Sequence, residues 1–110
     1  MDLNDLLNLL NDKQAMASTA IVDVRTHEER ASCFLENTLH IPLNEILFSK
    51  DVLQNYKKVV FLCAHGFRAK KAFTAFESLG FTNIDYVDGN IEEWSAYSLP
   101  VVTYNERISN

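Results

Sequence analysis

Long apolar runs are missing from this 110-residue chain. None approaches the ~20 residues that a membrane-spanning helix needs. Met1 leads into Asp2-Leu3-Asn4-Asp5, with neither a basic segment nor an apolar core behind it, so no secretory signal is expected. Glycine and proline are scarce, at three and two residues, which leaves no material for a low-complexity linker. A basic stripe is also missing: ten Lys and Arg face fifteen Asp and Glu, a net charge of -5. Without cations to displace counterions from phosphate, a nucleic-acid surface is not expected. Cysteine is limited to Cys33 and Cys63, 30 positions apart and outside any Cys-x-x-Cys or Cys/His ligand spacing. That excludes a disulfide scaffold and argues against a zinc site, so no metal is expected. A soluble, cytoplasmic protein with reduced thiols is the expectation.

What remains is ordinary globular composition, 47% apolar and 23% charged, in a length that supports one core. Leu3, Leu6, Leu7, Leu9 and Leu10 recur at near-helical spacing behind Asp2 or Asn4 as caps, and Asn11-Asp12-Lys13 ends that helix. Ala20 to Val24 reads as a buried parallel strand. Thr26 to Ala31 reads as a short helix with Thr26 and Glu29 placed as a capping box. Leu39 to Pro42 is a brief strand closed by proline. Leu43 to Phe48 and Val52 to Tyr56 suggest helical segments around Ser49-Lys50-Asp51. Lys58 to Leu62 is a strand, and Arg68 to Leu79 a helix stopped by Gly80. Ile84 to Val87 is a strand, Asp88-Gly89-Asn90 a turn, and Ile91 to Tyr97 a last short helix holding Trp94 as a core residue. Pro100-Val101-Val102 leads into a polar tail over 105–110, leaving 1–104 as the domain. Strands alternating with helices predict an α/β domain, with a mostly parallel sheet of four or five strands and helices on both faces.

In such sheets ligands sit beyond the carboxyl ends of the strands, and there the chain carries its chemistry. The strand Val59 to Leu62 feeds Cys63 into the loop Ala64-His65-Gly66-Phe67, after which Arg68 opens a helix. Unpaired N–H groups and the positive end of the helix dipole converge at such a point and favour an anion. A thiol held there is stabilised as its nucleophilic thiolate. Arg68, Lys70 and Lys71 make this region basic inside an acidic protein, which draws a small anion to it. The commoner fate of a lone cysteine is plain burial, but the ordered spacing of Cys63, Gly66 and Arg68 favours a functional loop.

These pieces resemble the rhodanese family of single-domain sulfurtransferases over nearly the whole chain. Ile21-Val22-Asp23-Val24-Arg25 with Glu29 is similar to the family's first signature, and Ile41-Pro42 to its Ile-Pro element. Cys63-Ala64-His65-Gly66-Phe67-Arg68 matches the loop pattern Cys-x-x-Gly-x-Arg. Gly80-Phe81, Val87-Asp88-Gly89-Asn90-Ile91 with Trp94, and Leu99-Pro100-Val101 are similar to its C-terminal signature. The resemblance implies that Cys63 accepts sulfane sulfur from thiosulfate or a persulfide, and passes it to a thiol, a protein sulfur acceptor or cyanide. It implies no organic cofactor. Amides of Ala64, His65, Gly66, Phe67 and Arg68 are expected to curl around the sulfur, with Gly66 supplying a positive φ.

Arg68 either faces the substrate or binds loop carbonyls, with Lys70 as a further contributor to the anion site. His65 is expected at the pocket mouth, tuning charge rather than taking a proton. Arg25 and Glu29 are expected to form a structural ion pair, and Asp23 to accept loop N–H groups. Phe67 is expected to be exposed. The rival within the fold, the cell-cycle phosphatase and arsenate reductase branch, carries five residues between Cys and Arg. Here there are four, Ala64 to Phe67, which favours sulfur over a tetrahedral oxyanion. A different class of rival, a non-catalytic binding or regulatory module, usually lacks the cysteine.

The chain departs from the family at Arg30, Cys33, Phe34 and Asn37, where an aromatic, a glycine, a histidine and a second glycine are usual. Cysteine or asparagine there costs strain wherever φ is positive, so this loop is expected to run differently and to alter access to the site. Cys33 could also resolve the persulfide as a second thiol, although a small buried apolar residue is the plainer expectation.

Overall fold

A computed structural model describes residues 1–103, so the polar tail expected over 105–110 lies outside the described residues. Four parallel strands form the central sheet: β1 (Thr19–Asp23), β3 (Leu39–His40), β4 (Lys58–Leu62) and β5 (Ile84–Tyr86), in the order β3-β1-β4-β5. The expected α/β architecture is therefore present, with four strands in this sheet. A second pairing was not foreseen. β2 (Cys33–Leu35) and β6 (Val101–Thr103) form an antiparallel ribbon, Cys33 opposite Thr103 and Leu35 opposite Val101. Three-residue strands leave too little alternation for the pattern to show in sequence.

Helix boundaries follow local capping. α1 (Leu3–Leu10) is capped by Asp2, whose carboxylate accepts the Asp5 N–H at 2.8 Å. Asp12 does not simply end that helix: it caps a further turn, α2 (Lys13–Met16), by accepting the Ala15 N–H. α3 (His27–Ser32) carries the expected box, with Glu29 N–H donating to Thr26 Oγ1 at 3.2 Å and Thr26 N–H donating to Glu29 Oε1 at 3.1 Å. Residues Leu43–Ser49 are a 3₁₀ helix running into α4 (Lys50–Leu53), so the helical turn expected over Val52 to Tyr56 begins and ends earlier. α5 (Phe67–Ser78) ends as a Schellman motif: Phe81 N–H reaches Phe76 O at 3.1 Å, Gly80 N–H reaches Glu77 O, and the two phenyl rings pack 4.8 Å apart. The last expected helix is a 3₁₀ turn, Ile91–Glu93, with Trp94 buried just after it.

The sheet separates two cores, and strand alternation assigns each side chain to one of them. Ala20, Val22 and Val24 of the β1 segment, with Val59 and Phe61 of β4, pack against Ala69, Ala72 and Phe76 of α5. Ile21, Val60 and Leu62 face the other way, onto Leu3, Leu6, Leu35, Trp94 and Leu99. Helices thus cover both faces.

Candidate active site

Cys63 continues the phase of Val59 and Phe61, so its side chain enters the α5 core and is only 2% exposed. Its Sγ accepts two backbone N–H groups, from Gly66 at 3.0 Å and from Ala69 at 3.3 Å. Both belong to the start of α5, where the first amides have no intrahelical acceptor. Gly66 is the N-cap residue and takes φ +91. A Cβ there would meet Asp88 and Val87 only at ordinary contact distance, 3.5 Å, so the backbone angle rather than space calls for glycine. The loop is pinned from outside as well: Ile91 N–H donates to Ala64 O at 2.7 Å. Of the donors expected from Ala64 to Arg68, Gly66 supplies a bond to sulfur. The second donor, Ala69, lies one residue beyond that range and went unrecognised because a backbone N–H leaves no mark on residue identity.

His65 is exposed, with Nδ1 3.2 Å from Asn90 Oδ1 and 3.7 Å from Glu92. Phe67 projects outward. Arg68 pairs with a carboxylate, a contact not among those expected for it, while its partly exposed guanidinium also lines the cleft beside the loop. It grips Glu29, Nη1 to Oε1 and Nη2 to Oε2 at 2.9 Å. The expected Arg25–Glu29 ion pair is corrected by the same contact. Glu29, third in α3, reaches back to cap Thr26, and its outer edge then meets the first turn of α5. The Arg68 guanidinium is the main cause holding the Glu29 carboxyl well below its usual range, at about 2, and Glu29 in turn raises Arg68.

Arg25 instead pairs with Asp23, two residues earlier on the extended chain. Nε and Nη2 donate to the Asp23 carboxylate at 3.0 Å, and Nη2 also donates to Cys33 O at 2.6 Å. Both residues are almost wholly buried, and Arg25 lies 5.2 Å from the centre of the Trp94 ring. Burial works against the Arg25 charge, but Asp23 outweighs it and keeps the guanidinium pKa above its ordinary value. Asp23 accepts one loop N–H, that of Arg25 itself. This network therefore ties the segment after α3 to the Trp94 face of the sheet, whereas the sulfur sits on the α5 face.

Arg30 was missed as part of it. Its guanidinium donates to Asp23 at 3.2 Å and to Thr38 Oγ1 at 2.7 Å, and stacks 4.3 Å from the Phe34 ring centre. The signal was available: Arg30 and Phe34 are both departures from the family pattern, and they compensate each other. The backbone strain expected at the substituted glycines is confined to one of them. Cys33 is extended, at φ -161, and Asn37 alone takes a positive φ, 63. Cys33 lies in the ribbon bound to the Trp94 face, and both cysteines are free thiols.

A cleft of about 430 Å³ borders the site, floored by Val24, Pro42 and Leu43 and walled by His27, Glu45 and Arg68. A larger cavity, about 630 Å³ beside Thr19, Ala20 and Tyr56, lies at the opposite end of the strands, away from the thiol. Among the described residues, no three His, Cys, Asp or Glu side chains converge as metal ligands, and no helix is long and apolar enough to cross a membrane.

A strand-end cysteine under a helix N-terminus, on a four-stranded parallel sheet, defines a class of α/β domain built around one thiol. The rhodanese-like domain model matches residues 2–97, and the chain belongs to that family. It is 30% identical over 107 residues to a mitochondrial thiosulfate sulfurtransferase of Saccharomyces cerevisiae, covering 86% of this chain and 68% of the relative. It is 28% identical over 80 residues to the putative sulfurtransferase YtwF of Bacillus subtilis, covering 73% and 77%. A tRNA uridine(34) hydroxylase of Salmonella newport is 29% identical, but this chain spans only 29% of its length. The crystal structure of a rhodanese-related protein from Thermoplasma volcanium superposes with a TM-score of 0.75 at 29% identity, covering 93% of this chain and 95% of that one.

Proposed function

We propose that the protein is a sulfurtransferase that carries sulfane sulfur as a Cys63 persulfide. The observation that carries this reading is the pair of main-chain N–H groups, Gly66 and Ala69, converging on Cys63 Sγ. Donors fixed before the reaction stabilise the thiolate without reorganising. In the first step the Cys63 thiolate attacks the outer sulfur of thiosulfate, or of a persulfide donor. A new S–S bond forms, the donor's S–S bond breaks, and sulfite or a thiolate leaves with the electron pair. In the second step an acceptor thiolate or cyanide attacks the outer sulfur of Cys63–S–S⁻ and the cysteine thiolate is released. Neither step needs a general base, which suits the exposed position of His65. The four-residue spacing from Cys63 to Arg68 supports sulfur over a tetrahedral oxyanion, and a reduced cytoplasmic setting suits the free thiol.

Exposure to thiosulfate followed by intact-mass measurement tests the proposal. A gain of one sulfur atom, absent in Cys63→Ser, is expected. Release of phosphate from an aryl phosphate without any such gain would overturn it in favour of the phosphatase branch.

A further inference from the structure

The first five residues of α5 hold three cations, Arg68, Lys70 and Lys71, and no acidic residue occupies its first turn. Positive side chains there oppose the helix dipole, so their presence needs a local reason. For Arg68 the reason is Glu29. Lys70 and Lys71 are exposed and form no ion pair among the described residues. Beside them Phe67 leaves 78% of its surface in solvent. These side chains border a shallow groove of about 530 Å³ along α5, lined by Phe67, Lys70, Lys71, Thr74, Ala75 and Ser78. The lining is mainly apolar, is bordered by the two lysines and includes no acidic residue. The groove begins at the residue after Gly66, whose N–H touches the sulfur.

We infer that this groove seats an acidic, apolar polypeptide segment bearing the thiol that receives the sulfur. The inference deepens the sulfurtransferase reading and rests on it for the transfer step. An apolar side chain of the partner covers the Phe67 ring, and its carboxylates meet Lys70 and Lys71. That docking places the partner's cysteine at the mouth of the loop, where its thiolate attacks the outer sulfur of the Cys63 persulfide and the Cys63 thiolate leaves. Charge complementarity selects the occupant. The chain as a whole is acidic, at -5, so this local patch is where an acidic partner finds attraction rather than repulsion.

The test uses two twelve-residue peptides with the same leucines and a single cysteine, one carrying glutamates and the other lysines at the remaining charged positions. Transfer from thiosulfate-loaded protein is followed by peptide mass at low salt, with 2-mercaptoethanol as the neutral control. We expect the acidic peptide to react at least tenfold faster than the basic one, with the gap closing in high salt. In Thr74→Glu/Ser78→Glu the gap is expected to vanish while 2-mercaptoethanol reacts at the wild-type rate. Equal rates, a faster basic peptide, or an unchanged gap in the variant would overturn the inference. Anisotropy of the same labelled peptides on unloaded protein separates the two claims. If thiosulfate loads no sulfur, the carrier reading fails, and binding of the acidic peptide alone still decides the groove: selective binding supports it and indifference refutes it.

Discussion

Replacing Glu29 by glutamine isolates one charge, because the capping box tolerates either residue. The amide oxygen of glutamine can still accept the Thr26 N–H that Glu29 Oε1 accepts at 3.1 Å. What disappears is the carboxylate facing Arg68. In the folded protein that carboxyl titrates at about 2 against an ordinary 4.5, chiefly because Arg68 donates two hydrogen bonds to it. A shift of this size corresponds to roughly 3 kcal/mol at about 1.4 kcal/mol per unit. Both side chains are 31% exposed, so solvent screening cuts the contribution to about 1–2 kcal/mol.

The sign follows from linkage. A depressed folded-state pKa stabilises fully above the unfolded value of 4.5 and is lost as pH falls through about 2. Urea unfolding at pH 7 is therefore expected to show Glu29→Gln less stable by about 1–2 kcal/mol. The difference should be intact at pH 6 and shrink steadily between pH 4.5 and pH 2. A difference near zero at pH 7, or one equally large at pH 2.5, would refute the claim that this ion pair clamps α3 to α5.

Other substitutions address the remaining parts. Asp23→Ala leaves the buried Arg25 guanidinium without its carboxylate and is expected to cost about 3–5 kcal/mol in denaturant unfolding, much of it recovered when Arg25→Met is added. Gly66→Ala forces a side chain into φ +91; a stability loss of about 1–2 kcal/mol is expected, together with slower thiosulfate loading read by intact mass. Asn37→Val places a β-branched residue at φ 63 and should cost about 1–2 kcal/mol, whereas Asn37→Gly should lie within about 0.5 kcal/mol of wild type by thermal unfolding. Oxidation is expected to produce no bridge between Cys33 and Cys63, checked by peptide mapping, because Cys63 is buried in the α5 core whereas Cys33 lies in the separate β2–β6 ribbon.

The elements that position the thiol were legible because their signals are local. β4 is a β-branched run, α3 announces itself through Thr26 and Glu29, and α5 stops at Gly80. What was not legible depends on distant parts of the chain. The β2–β6 ribbon joins residues about seventy positions apart through strands too short to show a period. The exchange of ion-pair partners has the same origin. Arg25 and Glu29 are close in sequence, but the strand turns Arg25 toward Asp23 and the helix turns Glu29 toward Arg68. Spacing alone showed that charges were near one another, and only the packing of α3 on α5 decided which would pair.

That exchange changes how the cationic character of the loop should be understood. Arg68 is paired with Glu29, and the hydrogen bonds to the sulfur come from main-chain N–H groups. A positioning role is the expected one: by binding α3, Arg68 would hold the first turn of α5, and with it the Ala69 amide 3.3 Å from Sγ. Arg68→Lys should separate the two roles. A lysine keeps the charge but makes only a point contact where the guanidinium makes two parallel bonds. If Arg68 served as a substrate cation, Lys would preserve much of the KM for thiosulfate and leave stability nearly unchanged. If it positions the helix, stability falls by about 1 kcal/mol and the loading rate falls at saturating thiosulfate, while KM moves little. A KM effect with unaltered stability would return Arg68 to the substrate.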